Sequence, residues 1–267
     1  MSWWVLGLLL GAGPAGLALP GLQVHVVASE AMDPDRLRAL ARPEVVLWLR
    51  TRTNGLRRST AETLQLAGSA FVEVRPPLGA PALAPFVGRI APWIALRDID
   101  VARVRRWSPG RLAVEVDGPF TEELVARLRV LRPVAVRWSR GGWPEHEEWV
   151  RARAFTGVEL LGVGTAPVDC GAVAARTRVR LRVALGSVTP DGHCGLPLRL
   201  EVPAVAEAAQ VHALLLGHPE ADLVVEVGAE TAQADAARRW IDQLASATPA
   251  SSAPSRRDAG VQDGGRP

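Results

Sequence analysis

Trp48, Phe71 and Trp93 fall about 22 residues apart, and each is followed within four positions by an arginine: Arg50, Arg75 and Arg97. That pairing has a chemistry. An aromatic face beside a planar guanidinium fork suits sugars, sugar acids and other anions. It also has a plain structural reading, in which the rings plug one end of a repeat stack and the arginines pair with Glu73 and its neighbours. Four carboxylates, Glu73, Asp98, Glu115 and Asp117, lie near the ends of short apolar runs. A β/α barrel places its chemistry at strand C-terminal ends, where two carboxylates can hydrolyse a glycosidic bond.

Other residues offer less. Cys170 and Cys194 are 24 positions apart, about one repeat, and both sit in expected loops. In an oxidising compartment that spacing predicts a disulfide. A metal set of Cys170, Asp169, His193 and Cys194 lacks standard zinc spacing, and no metal is expected. His146-Glu147-Glu148 starts like a zincin helix, but Val150 stands where the second histidine belongs, so it reads as a solvated helix face. Gly162-Val163-Gly164 lacks its third glycine, with Pro167 in that place, and reads as a tight turn.

The elements that must position these residues recur. Ten β-rich runs, from Val24–Val27 to Leu223–Val227, have centres 19 to 25 residues apart. Short helical patterns stand between most of them, as where Thr121 caps a helix with Leu124, Leu128 and Leu131 on one face. Strand, helix and strand in about 22 residues imply parallel pairing. One strand face is aliphatic and should lie under the helices. The other carries the aromatic, arginine and carboxylate residues. The fold class is therefore α/β, repeated β/α units in a curved parallel sheet. Burying charge in a closed lumen is costly unless the charges pair, so an open solenoid is favoured, with a (β/α) barrel as the alternative. Leu128-x-x-Leu131-x-x-Val134-x-Val136 resembles the leucine-rich repeat, without that family's asparagine. Glu115, Arg137, Glu159 and Arg182 occupy equivalent centres of four successive runs and predict a ladder of alternating charge.

Domain organisation follows from composition. Residues 1–19 carry no charged side chain and read as a signal peptide or membrane anchor. They contain Gly11-Ala12-Gly13-Pro14-Ala15-Gly16, which resembles the opening of flavin-binding Rossmann enzymes. That resemblance implies a pyrophosphate on a helix N-terminus. Pro20 and Gly21 would break such a helix within two turns, so no cofactor is expected. Residues 20–245 form the repeat domain, with 186–245 as a candidate subunit of it after Pro190-Asp191-Gly192. Residues 246–267, rich in Ser, Pro and Gly, read as a disordered tail. The pI of about 9.9 comes from a net charge of only +3 in a chain without Lys or Tyr. Nothing clusters as a nucleic-acid surface would require.

These features predict an exported, non-catalytic binding module of the cell envelope. Its partner is a glycan, an anionic ligand or a protein, and it meets a membrane only through residues 1–19. The alternative is a periplasmic or secreted glycan hydrolase.

Overall fold

The computed structural model describes residues 23–51, 56–75, 88–98, 100–102, 104, 111–162, 169–173, 177–184, 193–218, 221–228 and 230–247. The leader 1–19 with its glycine motif, the Pro190-Asp191-Gly192 turn and nearly all of the tail 246–267 lie outside them.

Ten strands follow one another: β1 (Val24–Ser29), β2 (Val45–Arg50), β3 (Ser69–Glu73), β4 (Ile90–Ala95), β5 (Ala113–Asp117), β6 (Ala135–Ser139), β7 (Val158–Leu161), β8 (Arg180–Ala184), β9 (Leu198–Glu201) and β10 (Asp222–Val227). Each pairs in parallel with the next, and β10 pairs in parallel with β1, so the sheet closes on itself. The closed form, with ten strands, replaces the open solenoid that the buried-charge argument favoured. Strands β9 and β10 belong to the same barrel as the rest.

Six α-helices are described: α1 (Pro34–Leu40), α2 (Arg58–Leu64), α3 (Glu122–Leu131), α4 (His146–Ala152), α5 (Ala208–Gly217) and α6 (Thr231–Ala247). Their ends obey local rules. Asp33 accepts from the backbone N–H groups of Asp35 and Arg36, and Pro34 opens α1 with no N–H to orphan. Thr121 Oγ1 accepts from Leu124 N at 3.2 Å, and Arg132 ends α3 in a left-handed conformation just before Pro133. Gly157, also left-handed, precedes β7, where a Cβ would meet Val134 O at 2.6 Å.

Strand alternation sorts the core. Val45, Leu47, Leu49, Val114, Val136, Trp138, Leu160, Leu200 and Val225 point outward into the main apolar layer beneath the helices. Helix α6 packs against α1 and α5, and Arg36–Asp235 (3.6 Å) and Arg42–Asp242 tie α1 and the α1–β2 connection to α6 across the β1–β10 seam. The inward set forms a second, separate cluster around Trp48, Phe71 and Trp93.

Candidate functional site: the barrel lumen and its C-terminal mouth

A closed sheet turns its inner face into a lumen. The inner face here divides by strand. On β1 to β5 it is filled by aromatics and small apolar groups. Trp48 stacks on Phe71 with ring centroids 4.3 Å apart and meets Trp93 edge-on at 5.4 Å. Ala91 and Ala113 on the same side leave the indoles their space. The three rings are only 3 to 5% exposed. The structure brings together all three aromatics singled out in the sequence, as a plug inside the barrel rather than an open platform.

On β6 to β10 the lumen is ionic. Arg137 faces Glu159 at 4.0 Å, Arg199 bonds Glu159 at 2.8 Å, and Arg199 and Arg180 both pair with Asp222. Arg182 reaches Glu201 (3.1 Å) and Glu226 (3.2 Å). Pairing of this density answers the buried-charge objection to closure. Burial pushes the Arg137 pKa down while Glu159 opposes the shift. The Arg137 guanidinium also spans both halves, lying 5.2 Å from the Trp48 ring centroid and 4.7 Å from that of Trp93.

Three members of the charge ladder are in register: Glu115 pairs with Arg137, and Arg137 with Glu159. The fourth differs. Glu159 pairs with Arg180, and Arg182 lies two residues further along, opposite Arg199. The spacing placed Arg182 at the centre of its run, but the β7–β8 connection is long and shifts the register by two. Facing side is unchanged, because strand parity is unchanged by a shift of two.

His25 joins the halves at the seam. Its Nδ1 accepts from Trp48 Nε1 at 3.1 Å. An indole N–H only donates, so Nδ1 must be unprotonated. Burial, then the charges of Arg199, Arg180, Arg137 and Arg182, hold the His25 pKa well below its ordinary value, so the ring is neutral with its proton on Nε2.

At the strand C-terminal ends the lumen opens to solvent. Arg50 pairs with Glu226 at 3.4 Å, Arg75 with Glu73 at 3.1 Å, and Arg97 with Asp117 at 3.7 Å. All three arginines singled out in the sequence are exposed here, and all three have carboxylate partners. Glu115 lies just below. Burial raises its pKa, Asp117 and Glu73 raise it further, and Arg137 and Arg50 work against them. Asp98 ends a 3₁₀ turn beyond β4, and its side chain lies outside the described residues.

The remaining candidates resolve as structure. Glu148 accepts from Phe120 N, Glu145 N and the Arg140 guanidinium, locking α4 to the β5–α3 loop. Burial alone would raise its pKa, but those bonds hold it below the usual carboxylate range. Cys170 and Cys194 form a disulfide with Cα atoms 5.3 Å apart, so the proposed ligand set with Asp169 and His193 loses both thiolates. Among the described residues no cluster suited to a metal is present. A groove of about 740 Å³ opens outside the barrel between α1 and α2, lined in part by the residues that follow β1.

Sequence reasoning missed Arg199 and Asp222. Both sit on inward positions of short strands, and the parity of Leu198 and Leu200 marks Arg199 as inward. Asp222 precedes Leu223 and so shares the inward parity, and the β9–β10 register sets it opposite Arg199. No protein-family model matches the chain, and no curated protein matches it.

Proposed function

We propose that the protein is an exported, non-catalytic binding module of the cell envelope that takes a sugar or sugar acid at the C-terminal mouth of its barrel. One observation carries this reading. At the mouth the polar strand face is exposed, and guanidinium donors stand side by side with carboxylate acceptors: Arg50 with Glu226, Arg75 with Glu73 and Arg97 with Asp117. A sugar hydroxyl both donates and accepts, so alternating donors and acceptors suit it better than a surface of one sign. The disulfide fits an oxidising compartment. Among the described residues no helix is long and apolar enough to cross a membrane. The test is a glycan array carrying neutral and uronic-acid oligosaccharides, followed by calorimetry on the hits. Arg75→Ala and Arg97→Ala should each weaken binding about tenfold, the size of one charge-assisted hydrogen bond. Binding untouched by both, or no binding at all, contradicts the proposal.

A second reading rests on Glu115. A carboxyl with a raised pKa near Asp117 and Glu73 resembles the acid of a glycosidase pair. Release of reducing sugar from an array hit, abolished in Glu115→Gln, would establish it. Binding without turnover would exclude it for that ligand.

A further inference from the structure

Four side chains in the ionic half, each more than nine-tenths buried, carry polar atoms without a partner: His25 Nε2, Arg137 Nη1, Arg199 Nε and Glu159 Oε1. They come from β1, β6, β9 and β7 and belong to one cluster. Glu159 lies within 4.0 Å of both arginines, and Arg137 covers the Trp48 ring whose N–H donates to His25. With the His25 proton on Nε2, the open set is three donors and one acceptor. Leaving such groups bare is costly, most of all for charged ones. Eight strands already make an interior that side chains just fill or that holds one small ligand, and diameter grows with strand number. Here there are ten strands, so the ring that closes around these groups is wider than the eight-stranded one.

We infer that the lumen holds a small oxyanion that also bears a hydroxyl, of the class of hydrogenphosphate or hydrogencarbonate, among His25, Arg137, Glu159 and Arg199. The count of open groups selects this chemistry. A water molecule accepts two hydrogen bonds, and three donors are open. An oxyanion accepts all three, and its hydroxyl donates to Glu159 Oε1. Charge agrees, since two of the three donors are guanidinium groups and the third is an imidazole N–H. These four residues are buried and are not those exposed at the mouth, so this site is independent of the sugar proposal and uses a different probe.

The experiment is reversible thermal unfolding of the wild-type protein in phosphate, bicarbonate and chloride at equal ionic strength. Unfolding and refolding in the anion loads a buried site that would otherwise exchange slowly. Phosphate or bicarbonate should raise Tm by about 5–10 °C at a hundredfold excess over Kd. His25→Leu, which removes one donor, should reduce that increment, and Arg50→Ala at the mouth should keep it. Anion released on denaturing the purified protein, measured chemically, gives a readout that needs no variant. Equal melting in all three salts with no anion released overturns the inference and leaves ordered water as the filling. An increment lost in Arg50→Ala and kept in His25→Leu also overturns it, by placing the anion at the mouth.

Discussion

The two halves of the lumen solve one packing problem in opposite ways. On β2 to β4 the space is filled by Trp48, Phe71 and Trp93, which gain by leaving water, and the Trp48 N–H is met by His25. On β6 to β10 it is filled by Arg137, Glu159, Arg180, Arg199 and Asp222, which lose hydration and recover it only through mutual pairing. The aromatic half should therefore behave as core, additive and with no titrating group of its own beyond its contact with His25. The ionic half should behave as a network, where removing one member strands its neighbours.

Glu159→Gln is the strongest way to break the comparison. It leaves Arg137 and Arg199 without their shared carboxylate, and should cost about 3–5 kcal/mol by urea unfolding. Trp48→Ala should cost a similar 3–5 kcal/mol for a different reason, a cavity. The two separate by pH. His25 has a lowered folded pKa, so the unfolded chain binds a proton that the native state refuses. Stability should therefore fall as pH drops below the unfolded value of about 6.5, by up to about 1.4 kcal/mol per unit. Glu115, with a raised folded pKa, acts in the opposite sense at lower pH, recovering stability as pH falls towards 4.5. His25→Asn should flatten the slope near pH 6. A slope unchanged in His25→Asn would show that another group titrates there.

The disulfide clasps the ionic half, joining the β7–β8 and β8–β9 connections. Replacing both cysteines by serine should cost about 3 kcal/mol for a loop of this length. The smallest effects lie outside the lumen. Glu62 on α2 pairs with Arg58 at 3.0 Å on an exposed face, and Glu62→Arg should stay within about 0.5 kcal/mol. Glu115→Arg, which sets a second guanidinium opposite Arg137, should cost clearly more. Equal costs would mean that Glu115 is not held in the lumen.

Much of this was legible in the sequence, and for a physical reason. Strand side chains alternate with period two, so Leu47 and Leu49 against Trp48 and Arg50 already state which face is which. Repeat length fixed parallel pairing, and the one-repeat spacing of Cys170 and Cys194 pointed to their bond. Closure was not legible. It depends on whether inward charges can pair, and the partners Arg180, Arg199 and Asp222 lie on β8, β9 and β10, brought to Glu159 and to one another only once the register of the sheet is known. The mouth was half legible. Arg50, Arg75 and Arg97 were identified, but their separation from the aromatics follows from closure alone, which buries the rings and leaves the guanidinium groups outside.

Closure is thus the claim on which the lumen, the mouth and both proposed sites depend. Amide hydrogen exchange tests it directly. In a closed barrel the β1 and β10 amides, paired through Val26–Val225 and its neighbours, should be protected as strongly as those of β5 and β6. An open sheet has edges, and edge amides exchange fast. Rapid exchange along the β1–β10 seam beside slow exchange in β5 and β6 would contradict the barrel.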